Sequence, residues 1–200
     1  MQHHTSIVTP IGVAVYPHLI EPDTKFSASG DYKVSLALEG PESEDLITTI
    51  SEALEEAKSM APGWKKEAPM PFIAETTDDG DLTGRVLFKF KMKALINRAD
   101  GTTVSLKPKL FDSAGTLCKP SSLWGGSRLR VSADVVPYHV AAIGAGVSLR
   151  LKAAQIIELQ DGGRGAESFG FQATEGYVGS ASEEDDLSVE EEEEAVAGDF

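Results

Sequence analysis

Strict alternation of apolar and basic side chains over residues 85–96 is the feature that most limits what this chain can fold into. The segment reads RVLFKFKMKALI, with apolar residues at every second position and mostly basic residues between them. Successive side chains of a β-strand point to opposite faces, whereas a helix would distribute these lysines around its surface. The segment is therefore predicted to be a strand, with Phe88 and Phe90 facing the core and the lysines facing outward.

A hairpin and four more strands are predicted around this segment. Asp100 and Gly101 form a two-residue turn signal, which predicts that residues 103–110 return as an antiparallel partner. Pro108 has no amide N–H, so this return strand is expected at an edge or a bend of the sheet. The other predicted strands cover residues 6–16, 31–38, 128–140 and 146–160.

One helix is predicted, from about residue 41 to residue 60. Apolar residues recur there at helical spacing, Pro41 suits the first helical position, and the acids after it complement the N-terminal dipole. Pro62 and Gly63 end the helix. They begin a stretch at 62–84 that is predicted to be a long irregular loop, functional or mobile.

Five or six strands and one helix indicate a mainly β domain over residues 1–161. This pattern favours a small antiparallel barrel over a helical bundle or a parallel α/β sheet. After Asp161 the composition changes to Gly, Ser and acidic residues. Residues 162–200 are therefore predicted to be a flexible tail, disordered from Gly162 or at the latest from Tyr177.

Charge is divided unevenly between these two regions. The whole chain has a formal charge of −14, but residues 165–200 contain twelve acids and no base. Residues 85–130, by contrast, hold ten bases and only two acids, Asp100 and Asp112. The acidic pI therefore hides a basic middle, which is compatible with an anionic polymer as ligand.

The sequence contains no motif for catalysis or for a bound cofactor. Its four histidines lack partners at metal or triad spacing, and no P-loop or nucleophile elbow is present. The single cysteine, Cys118, excludes an intrachain disulfide and suits a reducing compartment. No apolar run approaches membrane-spanning length, and residues 1–10 lack the pattern of a signal peptide. We therefore expect no enzymatic activity, metal, cofactor or membrane contact.

The basic middle carries the candidate binding site. Lysines at alternate strand positions lie about 6.5–7 Å apart, which is close to the phosphate spacing of an extended single strand. An ordinary half-buried strand that exposes lysines to water has the same pattern, so the aromatic residues near the basic segments matter, because rings stack on bases. The predicted DNA-binding residues are Lys89, Lys91, Lys93, Arg98, Lys107, Lys109, Phe111, Trp124, Arg128, Arg130 and Tyr138.

The acidic tail is predicted to compete for the same surface. A flexible segment of this length spans about 33 Å, against a radius of gyration of about 15 Å for the body. Its carboxylates offer spaced negative charge, and its last residue offers a ring where a base would stack. The residues assigned to this role, and to partner binding, are Glu190, Glu191, Glu192, Glu193, Glu194, Asp199 and Phe200.

Taken together, these segments resemble the single-stranded DNA-binding proteins of tailed bacteriophages, the group that includes those of T7-like podophages. The likeness covers nearly the whole chain in order and ends in the acidic run closing on Asp-Phe. The segments that carry it are VTPIGVAVYPHL, GDYKVSLAL, FKFKMKA, KPKLFDSAG, WGGSRLRV and VVPYHVAAIGAGVSLRLKAAQIIEL.

The resemblance implies an OB-fold that coats single-stranded DNA during phage replication, recombination and repair. It also implies a tail that contacts the phage DNA polymerase and helicase-primase, a location in the cytoplasm of the infected bacterial host, and possible dimerisation.

Two other functions fit parts of the same sequence. A protein-interaction or chaperone-like module, with its acidic tail on basic partners, would lose its main activity when the tail is deleted. An OB-fold of the cold-shock kind, directed to RNA, would show closely spaced surface rings on one strand. Here the rings of FKFKMK are expected to face away from the lysines.

Overall fold

The computed structural model describes residues 4–25, 27–63, 65–77, 79–98 and 100–160. Ten strands and one helix lie in this part of the chain. They are β1 (Thr5–Val8), β2 (Gly12–Asp23), β3 (Asp31–Glu39), α1 (Pro41–Ser59), β4 (Phe72–Thr76), β5 (Leu82–Lys93), β6 (Leu95–Asn97), β7 (Thr103–Ser105), β8 (Lys109–Phe111), β9 (Arg128–Val140) and β10 (Gly144–Glu158).

Five long strands close into a barrel. β2 pairs with β3, β3 with β5, β5 with β10, β10 with β9, and β9 returns to β2. The predicted mainly β barrel with one helix is therefore confirmed. The sequence did not show that one of the five pairings, between β5 and β10, runs parallel.

The barrel interior is filled by the inward side chains that the alternation predicted. Phe88 and Phe90 are 0% and 1% exposed, and they pack with aliphatic residues from β3, β9 and β10. Burying each large apolar side chain contributes about 1.5–3 kcal/mol relative to leaving it in water. Helix α1 buries Leu46, Ile50 and Leu54 as part of the same core, and it contacts β3, β9 and β10.

The predicted first strand is two strands. Residues 6–16 were expected to be continuous, but the chain breaks between β1 and β2 because Thr9 and Pro10 interrupt the ladder. Buried Thr9 accepts the amide N–H of Val131 on its hydroxyl, and Pro10 has no N–H to donate. β2 then continues to Asp23, well beyond the predicted end.

The region after the helix also departs from the prediction. The stretch 62–84 is not irregular throughout, because β4 pairs with β5 there and β5 itself begins at Leu82. The expected hairpin between 85–96 and 103–110 is wrong. Only β6 and β7 pair in this way, whereas β8 leaves them and runs parallel to β10. Pro108, buried just before β8, removes an amide donor where the two segments separate.

Candidate nucleic-acid interface

A trough crosses the outer face of β2, β3 and β5. Its first part has a volume of about 470 Å³. Its second part, of about 500 Å³, extends along β2 to residues 123–126. Tyr16 and His18 line both parts, so the two parts adjoin, and we call them together the trough. The other lining residues on which the site depends are Lys33, Ser35, Lys89, Lys91, Arg85 and Trp124.

Strand register brings basic residues from four strands into one row. His18 of β2 lies opposite Lys33 of β3, and Lys33 lies opposite Lys91 of β5. Arg150 of β10 then lies beside Lys91 on the parallel pairing. Because neighbouring strands lie about 4.8 Å apart, this row extends about 14 Å across the barrel surface. An extended anionic polymer lying across the strands would meet Lys33, Lys91 and Arg150 in turn on three of the four strands.

The predicted orientation of the lysine strand is confirmed. Lys89, Lys91 and Lys93 are exposed, while Phe88 and Phe90 between them are buried. The rings of this strand therefore belong to the core and offer no surface for a base. Any stacking has to come from aromatic residues on other elements.

Carboxylates hold two of the trough's ammonium groups in place. Lys33 bonds to the Asp23 carboxylate, and Lys91 Nζ lies 2.9 Å from Asp31 Oδ2. The pKa of Asp23 is lowered by its bond to Lys33 and then by the backbone N–H of Lys25. Lys89, by contrast, has no ion-pair partner among the described residues. The trough thus combines two oriented cations with one that is free to bind an anion.

Tyr16 is the most exposed ring on this face. It sits at a β-bulge in β2, where the register with β3 shifts between Val15 and His18. Its φ of 48° lies in the left-handed region, and its side chain is 81% exposed. A left-handed conformation costs a residue with a side chain about 1–2 kcal/mol. The fold therefore bears a local strain that presents an aromatic ring to solvent above the trough.

Trp124 lies at the other side of the trough. Its indole is 57% exposed, and its position is set by backbone bonds on either side of it. The Trp124 N–H donates to the Gln160 carbonyl at 2.8 Å, and the Gly126 N–H donates to the Ala14 carbonyl at 2.9 Å. Trp124 and Tyr16 line the same part of the trough. The structure therefore brings Trp124 together with the lysine strand.

Four other predicted residues lie apart from the trough. Lys107 and Lys109 line a separate basic pocket with Lys119, which we call the lysine pocket. Arg98 follows β6, in the turn of the β6–β7 hairpin, where its N–H bonds to the Thr102 carbonyl. Phe111 ends β8 and is half-buried opposite Gln155 of β10. These residues lie apart from the trough because the predicted hairpin between 85–96 and 103–110 does not form over its full length.

The remaining predicted residues lie on β9. Arg128 bonds to Glu158 on β10 at 2.8 Å, and Arg130 is exposed opposite Gln155. Tyr138 is half-buried and lies opposite Gly146, against which its ring packs. None of these three residues lines the trough. The tail residues Glu190, Glu191, Glu192, Glu193, Glu194, Asp199 and Phe200 lie outside the described residues.

Sequence reasoning missed five residues that line the trough and one at the end of the basic row. They are Tyr16, His18, Lys33, Ser35 and Arg85, and Arg150. Lys33 and Arg150 carried a usable signal, since each alternates with apolar neighbours in a predicted strand, as Lys89 does. Tyr16 and His18 carried none, because the bulge that turns both side chains outward is a tertiary feature.

Two other kinds of feature are absent from the same part of the chain. No group of three or more His, Cys, Asp or Glu side chains among the described residues is placed to hold a metal ion. Within residues 4–160, apart from the gaps given above, no helix is long and apolar enough to cross a membrane.

The strand order defines the class of this protein. A closed barrel of five strands, with a ligand-sized trough on the face of its first three, is the OB-fold arrangement. OB-folds bind oligonucleotides and oligosaccharides on this face. Cations in a row and exposed rings beside them match the nucleic-acid-binding members of the class.

Comparison with known proteins narrows the class to one family. The family model described as single-stranded DNA-binding protein, bacteriophage T7, matches residues 12–159, and the chain belongs to this family. The single-stranded DNA-binding protein of Escherichia phage T7 is 31% identical over 175 residues, which cover 76% of this chain and 73% of that protein.

Solved structures agree with this assignment. The crystal structure of the bacteriophage T7 protein gp2.5, a single-stranded DNA-binding protein, matches with a TM-score of 0.66 and 28% identity, covering 89% of this chain and all of that one. A single-stranded DNA-binding protein of bacteriophage Enc34, solved in complex with single-stranded DNA, matches with a TM-score of 0.57 and 15% identity over 78% of this chain and 87% of that one. The Enc34 match supports the fold alone.

Proposed function

We propose that this protein binds single-stranded DNA without sequence preference and acts in phage DNA replication, recombination and repair, in the cytoplasm of the infected bacterial host. The observation that carries the proposal is the trough, where Lys33, Lys89 and Lys91 line one part, Trp124 lines the other part, and the exposed ring of Tyr16 lines both. Membership of a single-stranded DNA-binding family supports the same ligand.

The chemistry of the trough explains binding without sequence preference. Lysine ammonium groups contact phosphates, which are the same at every nucleotide, and every base presents a π-face to a ring. Each stacked base contributes about 1–3 kcal/mol by alanine substitution. Of the residues predicted from the sequence, Lys89, Lys91 and Trp124 are proposed to contact DNA in the trough. No step of this function requires a cofactor or a reaction.

The acidic tail is proposed to regulate access to the trough. Residues 165–200 carry a charge of −12, opposite in sign to the trough's cations. Glu190 to Glu194 would take the place of phosphates, and Phe200 the place of a base, until DNA displaces them. Once released, the tail would contact the phage DNA polymerase and helicase-primase, the partners that the family resemblance implies.

A fluorescence titration of the full chain with oligo-dT tests DNA binding. Tryptophan emission should be quenched, and the affinity should fall as salt increases, with a log–log slope of about −0.7 for each phosphate neutralised. Trp124→Ala should remove the quenching, whereas Trp64→Ala should leave it. A salt slope near zero would overturn the proposal.

A full-length variant tests the role of the tail. Replacing Glu190 to Glu194 with Gln keeps the chain length and removes five charges. This variant should bind oligo-dT at least as tightly as the wild type and should lose its contact with the phage polymerase in a pull-down. An acidic-tailed interaction module would instead show no DNA binding in either protein.

A further inference from the structure

The lysine pocket is a second concave basic feature of this structure, with a volume of about 370 Å³. Pockets that accept small ligands range from about 300 to 1,000 Å³, so it is large enough for part of a nucleotide. Its floor is apolar and includes Ile20, Leu110 and Leu117, and its rim carries Lys107, Lys109 and Lys119.

The three lysines on the rim are exposed and have no ion-pair partner among the described residues. Asp112 lies close enough to the pocket to contribute to raising the pKa of the Cys118 thiol, after the larger effect of burial. Its carboxylate already accepts the N–H groups of Ala114 and Thr116, at 3.0 and 2.8 Å. The pocket therefore presents three uncompensated positive charges around an apolar floor.

A further concave feature of about 300 Å³, which we call the groove, adjoins both this pocket and the trough. It is lined by residues 17–21 of β2, which include His18, Ile20 and the exposed acid Glu21, and by residues 121–124, which include Trp124. Ile20 also lines the lysine pocket, while His18 and Trp124 also line the trough. One path therefore leads from the lysine strand, past the two exposed rings, to the pocket.

We propose that the lysine pocket is a second DNA subsite, which binds the phosphodiester backbone of a single strand after the strand leaves the trough. The proposal rests on the proposed function, because only a strand held in the trough is delivered to the groove. The ammonium groups of Lys107, Lys109 and Lys119 bind phosphates, and the apolar floor contacts a sugar or a base. Binding then depends on the length of the DNA.

Oligonucleotides of two lengths test this subsite with the full chain. OB-folds cover about 4–16 nucleotides, so dT6 fills the trough alone and dT20 continues into the pocket. In the variant Lys107→Gln, Lys109→Gln, Lys119→Gln, the affinity for dT20 should fall about tenfold, and its log–log salt slope should become shallower by about 2. The affinity for dT6 should stay within about twofold of wild type.

A matched variant controls for net charge. Lys58→Gln, Lys65→Gln, Lys152→Gln removes the same three charges from residues that line neither the trough nor the pocket, and it should bind dT20 like the wild type. Equal losses for dT6 and dT20, or no loss for dT20, would overturn the subsite. If the wild-type protein bound neither oligonucleotide, the proposed function itself would fail.

Cys118 provides a second measurement without any substitution. It is the one cysteine in the chain, it is half-buried, and it lines the pocket. Because burial raises its pKa, alkylation should be followed at alkaline pH. We expect dT20 to slow the reaction and dT6 to leave it unchanged. Equal protection by both oligonucleotides, protection by neither, or protection by dTMP at the same phosphate concentration would contradict a strand-binding subsite.

Discussion

Two strands of this barrel, β5 and β9, carry basic residues at alternate positions, but their neighbours differ. On β5, Lys91 lies opposite Lys33 and beside Arg150. Like charges directly opposite one another destabilise a sheet. Asp23 and Asp31 bond to Lys33 and Lys91 and offset this repulsion. Lys89 of β5 has no ion-pair partner among the described residues, which leaves it available to an anionic ligand.

The neighbours of β9 have the opposite character. Arg128 lies opposite Glu158 and bonds to it, while Arg130 lies opposite the neutral Gln155. An opposite-charge pair across two strands contributes to the stability of the sheet. From this comparison we expect the charges on adjacent strands, rather than alternate cations on one strand, to determine where an anionic ligand binds.

The largest effect on DNA affinity is expected when cations are removed from β5, with removal of cations from β9 as the comparison. Lys89→Gln with Lys91→Gln should weaken oligo-dT binding about tenfold and make the salt slope shallower by about 1.4, because two phosphate contacts are lost. Arg128→Gln with Arg130→Gln removes the same charge and should change affinity by less than about twofold. Both are measured by fluorescence titration. Equal losses would mean that net charge, not the trough, attracts DNA.

Tyr16 provides a second test of the comparison. Its left-handed backbone conformation costs stability and is not required for a stable fold. Tyr16→Gly should weaken binding about tenfold through loss of a stacked base. The free energy of unfolding should stay unchanged or rise by up to about 1 kcal/mol, because glycine adopts a positive φ without a steric cost. Tyr16→Ala should weaken binding by the same amount, but the free energy of unfolding should not rise. Urea denaturation and titration measure both effects. A less stable Tyr16→Gly variant that binds normally would contradict this role.

Asp134 tests whether the charged residues of β9 contribute to the stability of the fold and not to DNA binding. The Ser6 hydroxyl and then Lys152 lower the pKa of this carboxyl and connect β1 to β9. Because the folded-state pKa is depressed, its stabilisation is present above the usual Asp pKa and is lost as pH falls through the lowered value. Asp134→Asn should therefore cost about 1 kcal/mol at pH 7 and progressively less in acid. DNA affinity should not change. A constant difference across the pH range would exclude this linkage.

The smallest effect is expected at the Arg128–Glu158 pair. Both side chains are about half exposed, and such pairs contribute about 0–1 kcal/mol because water and salt screen them. Glu158→Gln should lower the free energy of unfolding by less than about 0.5 kcal/mol. It should leave oligo-dT affinity unchanged, since Arg128 does not line the trough. Increased affinity in this variant would show that freeing Arg128 creates a DNA contact.

Local pattern was sufficient for much of the fold. The alternation around Phe88 and Phe90 predicted which side chains fill the barrel, and helical spacing predicted α1 almost to the residue. The predicted hairpin failed because a turn signal at Asp100 and Gly101 specifies a reversal but not how far the pairing extends. Only three residues pair on each side of that turn.

The candidate site was predictable in part. Lys89, Lys91 and Trp124 were identified from charge and aromatic character, and the structure brings them together. Lys107 and Lys109 belong to a different pocket, because β8 leaves the predicted hairpin to pair with β10. No sequence pattern could have separated these two groups of lysines, since both alternate along the chain in the same way.

The sequence by itself determined the period-2 strands, the inward phenylalanines, the outward lysines and the division of charge, because each depends on residues adjacent in the chain. Only the tertiary structure decided which strands would be neighbours. Register placed Lys33 and Arg150 beside Lys91, and a bulge turned Tyr16 outward. Pairing between strands depends on contacts between residues far apart in sequence, so a binding face composed of four strands exists only once the barrel has closed.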